Sequence, residues 1–164
     1  MDKLELRSVS VLNADSKQVA IPDYVEFYIN DKPLSELINK TFKPEDAVLS
    51  KFTSVLGTME LTNFDRLKVK QLLGNKITKA DVNTLFPTPH FDQAPIFDEL
   101  KLPEILVYCC AECADYKCGG YSIQLQPGPD TIGWKLVSGD QKLEFTFSKK
   151  EYISELSGYI AELE

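Results

Sequence analysis

Residues 131–147 read Thr131-Ile132-Gly133-Trp134-Lys135-Leu136-Val137, then Ser138-Gly139-Asp140, then Gln141-Lys142-Leu143-Glu144-Phe145-Thr146-Phe147. Alternation puts Ile132, Trp134 and Leu136 on one face of a strand, and Leu143 to Phe147 reads as the next strand. Gly139-Asp140 supplies the turn, and a connection of a few residues is what antiparallel neighbours require. Upstream, Tyr121 to Leu125 is a further strand, with Asp130 in the turn after it, and Ile105-Leu106-Val107-Tyr108 is a buried one. Four strands therefore meander. Downstream, Ser148 begins Ser-Lys-Lys-Glu, a capping box in which the serine hydroxyl and Glu151 satisfy free amides reciprocally. Tyr152, Ile153, Leu156, Tyr159, Ile160 and Leu163 then form a helical stripe, so an amphipathic helix packs on the sheet.

The N-terminal half carries fewer but compatible signals. Leu4, Leu6, Val9 and Val11 shift phase near Arg7-Ser8, the pattern of a bulged or edge strand. Tyr24-Val25-Glu26-Phe27-Tyr28-Ile29 is a strand by its β-branched and aromatic content, and Asn30-Asp31-Lys32-Pro33 turns the chain. Pro33 suits the first turn of a short helix in which Leu34, Leu37 and Ile38 share a face. Phe52 to Gly57 predicts another strand. Asn63 is placed to cap a helix containing Phe64, Leu67, Leu72 and Leu73, with Gly74-Asn75 as its left-handed stop. Phe86-Pro87-Thr88-Pro89-His90, with Pro95 following, reads as a long connecting loop. The expected fold is α+β over residues 1–164 as one domain: mainly antiparallel sheet packed with two or three helices.

At 164 residues with 43% hydrophobic and 26% charged residues, the chain has the composition of a globular domain with a sizeable core. Its net charge of −7 disfavours direct binding to a nucleic-acid backbone. Met1-Asp2-Lys3-Leu4-Glu5-Leu6-Arg7 alternates charged and apolar residues, unlike a secretory signal, and no run approaches the ~20 apolar residues of a membrane span. The cytoplasm is the expected compartment, where Cys109, Cys110, Cys113 and Cys118 are thiols or metal ligands rather than disulfides.

Those cysteines are the most distinctive chemistry in the sequence. Cys110, Cys113 and Cys118 could supply three soft ligands to zinc, but a structural site commonly uses two Cys-x-x-Cys pairs and only one is present. Cys109 points away from Cys110 in extended backbone, so Asp115 or His90 would have to complete the set. A redox reading is disfavoured because Lys117-Cys118-Gly119-Gly120 leads into a strand rather than a helix N-terminus. The favoured reading is thiols packing a turn, with Gly119 and Gly120 permitting the bend and no cofactor. His90 and Asp92 lack any recognisable nucleophile motif beside them, so the chain is read as a non-enzyme. Trp134 is read as core. Asp98, Glu99 and Glu104 beside the proline-rich loop, with Glu112, Asp115 and Tyr116 in the cysteine turn, are the candidate partner-binding residues.

From Leu106 onward the chain resembles a group of small bacterial proteins that carry an apolar strand, a Cys-x-x-Cys-Gly turn, a Cys-Gly, a strand Trp and a closing Phe-x-Phe before a Tyr-bearing helix. Here the corresponding residues are Leu106-Val107-Tyr108-Cys109-Cys110, Cys113-Ala114, Cys118-Gly119, Trp134, Phe145-Thr146-Phe147 and Tyr152. Ala114 replaces the usual glycine, and Asp115-Tyr116-Lys117 enlarges the turn. The opening Tyr28-Ile29-Asn30-Asp31-Lys32-Pro33-Leu34 is also similar. Such proteins resemble immunity proteins of bacterial toxin systems, including contact-dependent growth inhibition. The resemblance implies a small acidic cytoplasmic protein that neutralises the toxic domain of a cognate effector, and the chain's own acidity adds the expectation of a basic partner, such as a nuclease, bound directly. The competing class is a zinc-stabilised or thiol-redox accessory protein built on Cys109 to Cys118.

Overall fold

The hairpin at 131–148 forms as its alternation requires, in unbroken register from Thr131↔Ser148 to Ser138↔Gln141. Gly139 takes φ +59° in the two-residue turn, the left-handed conformation such hairpins need. In this computed structural model, residues 1–10, 23–57, 62–78, 80–81, 104–110 and 120–162 are described. In chain order the strands are β1 (Leu4–Ser10), β2 (Asp23–Ile29), β3 (Lys32–Pro33), β4 (Phe52–Ser54), β5 (Glu104–Cys110), β6 (Gly120–Pro127), β7 (Thr131–Ser138) and β8 (Gln141–Ser148). The helices are α1 (Leu34–Phe42), α2 (Val48–Lys51), α3 (Thr62–Leu72) and α4 (Lys149–Glu162). The fold is α+β, with the short α2 added to the helices read from sequence.

Two antiparallel sheets form, β1-β2-β3 and β4-β5-β6-β7-β8. They are stitched at two seams. At one, Asp2 N–H donates to the Thr146 carbonyl at 2.8 Å and Thr146 N–H donates to Asp2 Oδ2 at 2.8 Å. At the other, Val25 N–H donates to the Leu56 carbonyl at 2.9 Å, while Val55 N–H donates to the Val107 carbonyl. Hydrogen bonding thus runs round a cycle from β8 through β1, β2 and β4 back to the meander.

The phase shift in β1 is not a bulge. Its pairing with β2 is continuous from Leu4↔Ile29 to Ser10↔Asp23, and β1 is an edge strand. The bulge sits in β5, where Leu106 faces Ser122 and Tyr108 faces Tyr121, leaving Val107 as the extra residue. Leu106, Val107 and Tyr108 are consequently all buried. Asn30 (φ 53°) and Asp31 (φ 68°) make the turn from β2 to β3, left-handed at both positions, as a type I′ hairpin demands. Pro33 then stands one residue ahead of α1, closing β3 and fixing the entry to the helix.

Asn63, expected as a cap, falls inside α3, which begins at Thr62. The far end behaves as read: Gly74 (φ +94°) donates to the Gln71 carbonyl and Asn75 N–H to the Lys70 carbonyl, the pair of bonds that defines a Schellman stop. Trp134 lies at the centre of one continuous core, edge-on to Phe27 (5.8 Å between ring centroids), Phe147 (5.4 Å) and Tyr152 (6.1 Å). Its Nε1 donates to the Tyr152 hydroxyl at 3.0 Å, which donates to the Leu72 carbonyl at 2.7 Å. One tyrosine thereby satisfies a core indole and one of the carbonyls a helix leaves open at its end. Within the stripe of α4, Tyr152 and Leu156 are buried, whereas Ile153 is 40% exposed. Among the described residues no helix is long and apolar enough to cross a membrane.

Candidate functional site

Cys109 is the cysteine whose surroundings are described most fully. It lies in β5 opposite Thr53 on one side and Gly120 on the other, and is buried in the core. Cys110 pairs with Phe52 at the end of the strand. Cys113 and Cys118 lie outside the described residues, as do His90, Asp92, Asp98, Glu99, Glu112, Asp115 and Tyr116. Among the described residues no three His, Cys, Asp or Glu side chains gather as a metal site. Gly120 is required where it stands: a Cβ there would lie 2.4 Å from the Tyr108 carbonyl oxygen, far inside contact distance.

Glu104 is exposed and opens β5 opposite Gln124. The segment 111–119 departs from the other end of the same strand. Seven residues of strand set those attachment points apart by about 20 Å. The acidic residues nominated from sequence therefore attach to the frame at two ends of β5.

At the root of segment 111–119 sits an aromatic cluster. Phe52 and Tyr121, both half-buried, meet edge to face at 5.6 Å, and Tyr121 meets Tyr108 at 6.5 Å. Burial pushes the Tyr121 hydroxyl pKa up. Tyr108 leads inward to a buried carboxylate, Glu26, which is 1% exposed. Glu26 Oε1 accepts the Tyr108 hydroxyl in a short bond and the Phe27 N–H at 2.8 Å, and Oε2 accepts the Ser35 hydroxyl at 2.7 Å. Desolvation raises the Glu26 pKa, opposed by its bonds from Tyr108, Ser35 and Phe27. The Tyr108 hydroxyl is held well above its ordinary value, first by burial and then by the facing carboxylate. Tyr24 is pushed up to about 12 by burial, with the Glu26 charge adding to it.

A second carboxylate repeats the arrangement. Asp65 on α3 accepts the Tyr159 hydroxyl at 2.5 Å and Gly57 N–H at 3.1 Å, and burial raises its pKa. Gly57 holds φ +79°, and a Cβ there would come 2.8 Å from Val25 Cγ2. Chemically, each site holds a proton between a carboxyl and a phenol. General acid–base work requires substrate within hydrogen-bond reach, and Glu26, Ser35 and Tyr108 are all 2% exposed or less. In this arrangement they join elements: Glu26 ties β2 to β5 and α1, and Asp65 ties α3 to α4 and to the chain after β4.

Sequence reading placed Glu26 and Tyr108 in strands without assigning them a role. The available signal was a lone carboxylate inside Tyr24-Val25-Glu26-Phe27-Tyr28-Ile29, a run whose neighbours on both faces are apolar or aromatic. Asp65, between Phe64 and Arg66 in a helix, carries no comparable signal. Comparison of the chain with protein-family models, with curated proteins and with solved structures finds no match in any of the three.

Proposed function

We propose that this chain is an immunity-type binding protein of the bacterial cytoplasm that neutralises a cognate, basic toxin domain by direct contact. The observation that carries the reading is the half-buried Phe52–Tyr121 pair at the root of a segment bearing Glu112, Asp115 and Tyr116. Aromatic side chains backed by a packed frame are the usual anchors of protein interfaces. Carboxylates in the segment that joins Cys110 to Gly120 would steer a basic partner into register, and the net charge of −7 acts in the same direction. Glu104, with Asp98 and Glu99 preceding it in sequence, belongs to a second acidic segment that reaches β5 from its opposite end. The segment at Tyr121 is the primary contact in this reading.

Coexpression with the toxin domain encoded beside this gene tests the proposal through growth rescue, followed by association kinetics of the purified pair. Rescue is expected, with association slowing as salt rises from about 50 to 500 mM. Tyr121→Ala, and Glu112→Lys with Asp115→Lys, should each weaken binding by about tenfold or more while the circular dichroism spectrum is retained. No rescue, or affinity indifferent to these substitutions and to salt, overturns the reading.

A further inference from the structure

β8 is an edge of the five-stranded sheet. The two-residue turn at Gly139-Asp140 makes Ser138 and Gln141 a hydrogen-bonded pair, so every second residue from Lys142 turns its backbone N–H and C=O away from β7. These outward residues are Lys142, Glu144 and Thr146. Thr146 is taken: both of its groups bond to Asp2. On the three-stranded sheet the edge strand β1 is engaged too, since its outward Leu6 N–H donates to Glu155 Oε1 of α4 at 2.8 Å. Among the described residues nothing bonds the outward groups of Lys142 and Glu144. Their side chains, 64% and 50% exposed, meet each other at 3.1 Å.

We infer that this edge pairs with the same edge of a second copy of the chain, antiparallel about a two-fold axis through Leu143. In that register Lys142 faces Glu144 of the second copy, and Glu144 faces its Lys142. Outward amides and carbonyls then meet outward partners in two hydrogen-bonded pairs, and opposite charges meet twice. Centring the axis on Lys142 or on Glu144 instead sets like charges face to face, and centring on Glu144 also needs the Thr146 groups that Asp2 holds. The seam ends naturally, because the second copy reaches its Gly139-Asp140 turn where Asp2 begins. Val137, 55% exposed and paired with Lys142 across the hairpin, places an apolar side chain beside each ion pair. A closed two-fold contact of this kind is isologous and stops at the dimer.

A seam this short is smaller than the ~1,200 Å² of a standard complex, so self-association is to be read between about 10 µM and 1 mM. Sedimentation equilibrium on the full chain should show a concentration-dependent monomer–dimer equilibrium. Lys142→Glu and Glu144→Lys should each weaken it by about tenfold or more, because each creates two like-charge pairs across the seam. The double exchange, Lys142→Glu with Glu144→Lys, restores opposite charges and should restore the dimer. Glu144→Pro removes an N–H that β7 does not use and should also give monomer with the fold intact. A chain monomeric throughout that range, single charge variants that dimerise like the parent, or a double exchange as monomeric as the singles would each overturn the inference.

Discussion

Replacing Tyr108 by Phe removes one hydroxyl and leaves every ring contact in place, so its cost isolates the bond to Glu26 Oε1. With Glu26 charged, the lost bond is a charge-assisted one and the carboxylate keeps only the Phe27 N–H on that oxygen, a deficit of about 2 kcal/mol. With Glu26 protonated the bond is between neutral groups, and the cost drops to about 1 kcal/mol. For a chain of this length 2 kcal/mol corresponds to a melting temperature lower by roughly 5 °C. The pH dependence has a definite sign. Because burial raises the folded-state pKa of Glu26 above its ordinary 4.5, the native state binds more protons than the unfolded one above that pH. The stability associated with the protonated form is complete below about pH 4.5 and is lost as pH rises through the folded pKa. Urea unfolding of the parent, Tyr108→Phe and Glu26→Gln at pH 5 and pH 8 reads all of this. Tyr108→Phe should cost more at pH 8 than at pH 5, and Glu26→Gln should flatten the fall in stability between them. Asp65, raised from 3.8 in the same direction, contributes equally to parent and variant and drops out of the difference. An equal Tyr108→Phe penalty at both pH values, together with a Glu26→Gln slope matching the parent's, would refute the reasoning.

Gly57→Ala combines a left-handed backbone with a Cβ at 2.8 Å from Val25 Cγ2, and chemical denaturation should show a loss of about 2 kcal/mol or more. Tyr152→Phe strands the Trp134 indole N–H and the Leu72 carbonyl together; about 2–3 kcal/mol is expected by the same assay, well above a surface tyrosine control. Native mass spectrometry before and after a chelator should show no zinc-sized mass change and no unfolding, because the sequence holds only one Cys-x-x-Cys pair. A zinc-sized loss with unfolding would instead establish the metal-stabilised alternative.

The meander was legible because each strand advertises itself twice, once in its alternation and once in the turn that ends it. β7 and β8 did so through Ile132, Trp134 and Leu136 and through Gly139-Asp140, and register followed without further information. The phase break at Val9 was readable as a bulge or as an edge, and it is the edge: pairing continues past Val9, and an edge strand tolerates the break, having fewer neighbours to enforce alternation. The bulge at Val107 was hidden for the opposite reason, since a strand buried on both faces has no alternation to disturb. Glu26 and Asp65 could be seen as residues but not as sites. What makes them sites is the arrival of Tyr108 and Tyr159, 82 and 94 positions further along the chain, and no local pattern encodes a meeting at that distance.

Those two meetings decide how the sheets and helices are held, which strand propensity alone does not. A core of Leu, Ile and Phe tolerates sliding, because apolar contact is non-directional. A buried carboxylate that accepts one particular phenol and one particular amide does not, because a displacement of an ångström strands a costly group. Glu26 fixes β2 against β5 and α1, and Asp65 fixes α3 against α4. Both lie inside, so their specificity is independent of what the surface carries. On the proposed reading, recognition belongs to segment 111–119, while these buried bonds hold the elements from which that segment starts and to which it returns. In a binding protein matched to one variable partner, that separation lets recognition change while folding stays constant. Exchanging residues 111–119 for a neutral segment of equal length should accordingly leave urea stability within about 1 kcal/mol of the parent while abolishing partner binding. A collapse of stability on that exchange would place the cysteine segment in the frame rather than on it.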